Sequence, residues 1–174
     1  MKTVWTIGHS TRSLEEFIGL LQSFGIELVA DIRSFPGSRR FPHFNKEALM
    51  VSLPAHHIQY AHLRALGGRR PVQPGSHNTG WRLKAFRGYA DYMETDEFKQ
   101  GIVQLEKLAL SKRCAYMCSE AVWWSCHRSM VSDYLKLRGW KVLHIMGPGK
   151  AEEHPYTSPA RVVQGELKYD QPAG

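Results

Sequence analysis

No stretch of the 174-residue chain comes near the roughly 20 consecutive apolar residues of a membrane span, which argues against a transmembrane helix. The opening residues, Met1 through His9, lack the apolar core and small-residue cleavage site of a secretory signal and read instead as a first strand. Cysteine is scarce. Cys114, Cys118 and Cys126 are an odd number and too few for a disulfide scaffold, so a reducing cytoplasm is the expected location. Acid is scarce in one region: between Arg33 and Arg87, eight Arg and two Lys face a single acid, Glu47. That segment therefore carries +9 of a net charge of +7, leaving −2 for the remainder. Positive charge so concentrated points to a phosphate-bearing partner, unless it is only a solvated basic loop. Also missing are a phosphate-binding P-loop, a dinucleotide glycine triplet, a Gly-x-Ser-x-Gly elbow and a His-Glu-x-x-His helix. Several common enzyme classes are thereby excluded.

What is present suits one globular domain over residues 1–174, at 43% hydrophobic and 11% aromatic, with no internal repeat and no visible boundary. Thr3–Ile7 reads as a strand. Ser13-Leu-Glu-Glu16 is a capping box, opening a helix with an apolar stripe at Leu14, Phe17, Ile18, Leu21 and Phe24 and a stop at Gly25. Ile26–Ile32 is a second buried strand, and the strand–helix–strand order implies a parallel pair. Asn45 is expected to cap a short helix ending at Leu53, and His57–Ala61 to form a third strand. Residues 71–81 read as a long loop, either a lid or an excursion. Helices follow over Phe86–Met93 and, capped by Thr95, over Asp96–Leu110. Cys114–Met117 and Lys141–Met146 supply further strands, and the tail over 147–174 is expected to pack back on the body. The fold implied is α/β: a three-layer domain with a mostly parallel central sheet of about five strands flanked by helices.

The chemistry concentrates in Met117–Arg128, where two cysteines, a carboxylate, an imidazole and a guanidinium fall within twelve residues between a strand and a helix. With Ser125 as N-cap, Cys126, His127 and Arg128 occupy the first helical turn, where the helix dipole lowers a thiol pKa and attracts anions. Parallel strands would bring Gly8-His9-Ser10, Asp31-Ile32-Arg33 and Cys118-Ser119-Glu120 to the same sheet edge. The candidate reactive groups are Cys126, Glu120, His9 and His127. For an anion, Arg33, Arg39 and Arg128 are the candidate forks, with Asp31 orienting and Ser10 on the same rim. Alternatives stay open: the cysteines as packing, or a metal held by Cys118, Cys126 and His127 at a spacing unlike familiar zinc sites. His144 and His154 carry no independent signal, and no cofactor is legible.

Thr6-Ile-Gly-His-Ser10, Leu28-Val-Ala-Asp-Ile-Arg33 with Pro36 and Ser38-Arg39, Tyr60 through Leu66-Gly-Gly68, Met117-Cys-Ser-Glu120, Cys126-His-Arg128 and His144-Ile145 together give the sequence its family likeness. It resembles the bacterial and archaeal proteins catalogued as domain of unknown function 488. Between the two cysteine-bearing halves, Ala121-Val-Trp-Trp-Ser125 is bulkier than the Pro or polar residue of the usual form. The resemblance implies a single cytoplasmic α/β domain and no particular activity.

Three functions remain from the sequence. One is an enzyme or binding protein for a phosphate-bearing ligand, a nucleotide or nucleic acid, at the strand-end rim. Another is a non-catalytic nucleic-acid-binding module using Phe35, Phe41 and Phe44 with Arg39 and Arg40. The third is a thiol redox or metal protein.

Overall fold

The computed structural model of the chain describes residues 2–171. Its elements are β1 (Thr3–Gly8), α1 (Leu14–Ser23), β2 (Leu28–Asp31), α2 (Lys46–Ser52), β3 (Gln59–His62), α3 (Lys84–Tyr92) and α4 (Asp96–Ser111). They continue through β4 (Cys114–Cys118), α5 (Arg128–Leu137), β5 (Lys141–Gly147), β6 (Lys150–Glu153), β7 (Arg161–Val163) and β8 (Glu166–Lys168). Local chemistry explains the starts. Ser13 Oγ accepts the Glu16 amide at 3.1 Å while the Glu16 carboxylate accepts the Ser13 amide at 3.2 Å, closing the capping box of α1. Thr95 caps α4 by accepting the Phe98 amide at 3.3 Å. Asn45 behaves otherwise: it precedes α2, but its side chain accepts the Ser38 amide and ties down the preceding loop instead.

The main sheet has the order β3-β2-β4-β1-β5-β6. The first five strands run parallel and β6 returns antiparallel from β5, so six strands stand where about five were expected. The added strand comes from residues read as tail. Helices α1 and α2 cover one face, around Phe17, Leu21 and Leu49, while α3, α4 and α5 cover the other, around Tyr89, Phe98 and Met130. A mostly parallel sheet flanked by helices is therefore the architecture. Beyond it, β7 and β8 form a separate antiparallel ribbon, and Tyr169 after them is buried among α3 and α5.

Pleating decides which side chains meet. Alternate residues point to opposite faces, so Val4 and Thr6 of β1, Cys114, Tyr116 and Cys118 of β4, and Val142 and His144 of β5 face α5. The loop over 71–81 is anchored rather than free. The Asp91 carboxylate accepts the Gln73 amide (2.8 Å), Ser76 Oγ (2.6 Å) and Asn78 Nδ2 (2.7 Å). Burial alone would raise the pKa of Asp91, but those hydrogen bonds outweigh it and hold the group below the usual carboxylate range.

Two glycines test this packing. A Cβ at Gly8 would lie 1.5 Å from the Glu120 carbonyl oxygen, whereas one at Gly19, on the exposed side of α1, meets nothing within 4 Å. Gly8→Ala should cost about 3 kcal/mol or more, or prevent folding, because backbone must move. Gly19→Ala should add about 0.5–1 kcal/mol through helix propensity. Urea midpoints of the two variants should move in opposite directions.

Candidate thiol site at the strand-end rim

The carboxyl ends of β1, β2 and β4 do converge. Pairing continues past the strands, with the His9 amide donating to the Cys118 carbonyl (3.0 Å), Ser10 to Ser119 (2.9 Å) and Ile32 to Met117 (3.0 Å). Three of the polar triplets read from the sequence thus share one edge, and α5 starts beside them.

The start of α5 differs from expectation. Its N-cap is His127; Ser125 ends a short 3-10 turn, Trp123–Ser125, and Cys126 precedes the helix instead of lying in its first turn. Three consecutive large residues, Val122, Trp123 and Trp124, shift the helix start: Trp123 is buried and stacks on His144 at 4.8 Å, which holds the turn against β5. Cys126 still receives an amide, that of Arg128 at 3.4 Å.

Arg128 is 1% exposed. Its Nη1 donates to Thr6 Oγ1 at 2.9 Å and its Nη2 to the Glu120 carbonyl at 3.0 Å, while Nε has no partner. Among the described residues no carboxylate lies within ion-pair distance of it. A buried guanidinium without a carboxylate is costly unless another anion serves it. The neighbouring groups able to become anionic are two sulfurs. Cys118 Sγ lies 2.7 Å from Cys126 Sγ and 3.7 Å from the Glu120 carbonyl oxygen. Burial opposes ionisation of Cys118, yet the Cys126 hydrogen bond and the Arg128 charge outweigh it and bring the thiol down to about 7. Cys126 is driven the other way, well above an ordinary thiol, by burial and by the sulfur beside it. The sequence points to Cys126 as the low-pKa thiol; in the folded protein Cys118 is the sulfur drawn down and Cys126 the one driven up. Cys114, inside β4, is pushed up by burial to about 12 and is inert.

Arg33 and Asp31 are brought to the rim but committed to each other. Arg33 Nε and Nη2 grip the two Asp31 oxygens at 2.9 and 2.7 Å, Nη2 also reaches the Phe44 carbonyl at 2.7 Å, and Nη1 donates to His9 Nε2 at 3.3 Å. Tyr60, which carried no functional signal in the sequence, adds its hydroxyl to Asp31 at 2.6 Å. The Arg33 fork is therefore occupied, and an anion would have to displace a buried carboxylate. His9 is similarly engaged: its Nδ1 donates to the Ser10 carbonyl at 2.8 Å, so Nε2 carries the lone pair that accepts Arg33. That leaves no ring nitrogen for proton transfer. His127 donates Nε2–H to the Ile32 carbonyl at 2.7 Å and turns its other edge to Gly68, where an added Cβ would lie 3.0 Å from Nδ1. It therefore does not join the two sulfurs, and among the described residues no three His, Cys, Asp or Glu side chains are placed to hold a metal.

The remaining candidates lie on the surface. Glu120 contributes its backbone carbonyl to Arg128 while the residue itself is exposed, Ser10 is half-buried with φ 50°, and Arg39 is exposed on the loop after β2. Sequence reasoning missed Thr6, His144, His154 and Asp133, all fully or nearly fully buried beneath the sulfurs. One signal was available: buried strands with a polar residue on the face otherwise given to Val4 and Val142.

The site and fold together define an α/β protein with a buried thiol pair at the carboxyl edge of a parallel sheet. The chain belongs to the family described as Domain of unknown function DUF488, whose model matches residues 13–135. That span includes Asp31, Arg33, Cys118, Cys126 and Arg128, and leaves His9 and the segment from β5 onward outside. No curated protein and no solved structure matches the chain. No helix among the described residues is long and apolar enough to cross a membrane.

The buried rings give a pH signature. Burial is the main cause in each case, lowering His9 and His127 to about 4 and His144 to about 2. Unfolding restores values near 6.5, so between about pH 6.5 and 4 the unfolded chain binds more protons and stability falls as pH falls. Each ring contributes a slope of at most about 1.4 kcal/mol per pH unit. Urea midpoints at about pH 7, 6 and 5 should decline together, and flat midpoints would contradict neutral buried rings.

Proposed function

We propose that this is a thiol-dependent protein in which Cys118 and Cys126 form a reversible dithiol–disulfide couple at the rim. The carrying observation is the sulfur pair, 2.7 Å apart, beside an arginine that has no carboxylate. Arg128 favours the thiolate, and closure of the pair to a bond of about 2.05 Å needs only a small displacement of side chains. Cys126 is the more accessible sulfur and Cys118 is buried. A proton passing from Cys126 to Cys118 makes Cys126 the attacking thiolate. It bonds to one sulfur of a low-molecular-weight disulfide and expels the other half as a thiolate. Cys118, losing its proton to that thiolate, then attacks Cys126 and expels the second half. Two protein thiols are oxidised and one small disulfide is reduced to two thiols.

Equilibration with mixtures of oxidised and reduced glutathione, followed by alkylation and mass analysis, tests this. The expected result is a cooperative loss of two alkylation sites, with Cys114 retained as a thiol. Three free thiols throughout the oxidising range would reject the couple. Arg128→Met should slow alkylation at pH 7 by about tenfold, as the thiol returns towards about 8.5.

A second reading, a phosphate-bearing ligand such as a nucleotide or nucleic acid, is favoured by one separate observation. Phe35 is 63% exposed with the Arg64 guanidinium 5.7 Å from its ring, and Arg39 and Arg40 are exposed on the same loop. An exposed aromatic beside free cations can stack a base and hold a phosphate. This moves the anion contacts from Arg33 and Arg128 to the loop. Affinity for a single-stranded oligonucleotide should fall steeply with salt, and Arg39→Ala with Arg40→Ala should weaken it at least about tenfold. A salt-independent affinity would reject this reading. Loss of binding in Cys126→Ser would reject its non-catalytic form.

A further inference from the structure

A continuous chain of buried hydrogen bonds leads away from the guanidinium at the thiol pair. Arg128 Nη1–H donates to Thr6 Oγ1 at 2.9 Å, and Thr6 contacts His144 Nδ1. His144 Nε2 meets His154 Nδ1 at 2.8 Å, and His154 Nε2 meets Asp133 Oδ1 at 2.8 Å. All five residues are at most 1% exposed.

The direction of every link follows from its ends. Asp133 accepts four hydrogen bonds, from His154 Nε2, the Thr157 amide (2.9 Å), the Thr157 hydroxyl and the Tyr169 hydroxyl (2.7 Å). His154 must therefore carry a proton on Nε2, and in that neutral tautomer its Nδ1 accepts from His144 Nε2–H. His144 Nδ1 is then an acceptor for the Thr6 hydroxyl proton, and the Thr6 oxygen is free to accept Arg128. Every donor points from the cation towards the carboxylate. Burial, with the Arg128 charge adding to it, keeps His144 uncharged.

We propose that Thr6, His144, His154 and Asp133 are positioning residues for the thiol site, holding the Arg128 guanidinium against Cys118 through this one-way relay. Every donor to Asp133 lies beyond β5, in the C-terminal segment, so docking of that segment completes the relay. The proposal rests on the reading of Cys118 as a thiolate held by Arg128.

The decisive comparison is the thiolate titration of the sulfur pair, followed by ultraviolet absorbance, in wild type, Thr6→Val, Thr6→Ser and Asp133→Asn. Cys114 stays silent below pH 10 because of its burial. Positioning predicts that Thr6→Val and Asp133→Asn each raise the thiol pKa by about one unit, a tenfold loss of thiolate at fixed pH, while Thr6→Ser stays like wild type. A merely structural role leaves the titration unchanged in any variant that folds. Through-space loss of the Asp133 charge would instead lower the thiol pKa, so either of those results overturns the relay. If Asp133→Asn does not fold, the isosteric Thr6→Val carries the comparison. A wild-type pair that titrates near 8.5, as free cysteine does, overturns the thiolate reading itself and the relay with it. A depressed wild-type value with unmoved variants overturns the relay alone.

Discussion

The rim depends on the buried guanidinium of Arg128. Arg128 is enclosed with no carboxylate at ion-pair distance among the described residues, and its hydrogen bonds reach different segments: the guanidinium meets Thr6 on β1 and the Glu120 carbonyl on the loop after β4, and the backbone amide meets Cys126 Sγ. Removing solvent from a guanidinium is costly enough that those acceptors must be in place whenever the chain is folded. The guanidinium therefore acts as a template for the loop. Gly8 belongs to the same knot, because the Glu120 carbonyl passes over it where a side chain would stand. A backbone requirement on β1 and a charge requirement on α5 are thus met by one carbonyl group.

Arg33 and Arg128 show how two similar residues divide into structure and chemistry. Arg33 has a bidentate carboxylate, a backbone carbonyl and an imidazole, so its charge is balanced inside the protein and its fork is filled. It fastens Phe44, and with it the loop from β2 to α2, to the sheet edge. Arg128 has only neutral oxygens and a thiol pair. The Cys126 hydrogen bond first, and the charge of Arg128 after it, bring Cys118 down to about 7. Phosphate contacts, if the protein makes them, belong on the exposed loops, where the +9 segment keeps Arg39, Arg40 and Arg64 in solvent.

Much of this was legible before any coordinates. Capping chemistry located α1 and α4, apolar runs located the strands, and their alternation with helices implied a parallel sheet whose carboxyl edge gathers His9, Asp31, Arg33 and Cys118. Those signals are local, so local reasoning finds them. The start of α5 was not legible: the position of Ser125 fits a cap, but stacking of Trp123 on His144 draws the turn towards β5 and delays the helix. Nor could the order of the two thiol pKa values be read. It depends on where Arg128 turns after the chain has folded, and helix position alone favours Cys126. The relay was harder to read, because its one signal, a polar residue on a buried strand face, does not say which residues meet. Thr6 and His144 are register partners on β1 and β5, 138 residues apart.

The C-terminal segment has a place in this logic that its composition conceals. Rich in proline and glycine, it is expected only to pack back on the body, yet β6 extends the sheet and His154, Thr157 and Tyr169 supply the hydrogen-bond donors to Asp133. A fully buried carboxylate in the middle of an apolar helix face would destabilise α5 if left alone. The relay from it ends at Arg128, which among the described residues has no carboxylate within ion-pair distance. Asp133 and Arg128 are joined through one hydroxyl and two imidazoles in a single hydrogen-bond chain. Each makes the other's burial tolerable. The arrangement holds only while the last segment is docked, so the ends of the chain, not its centre alone, determine whether the thiol pair faces a fixed positive charge.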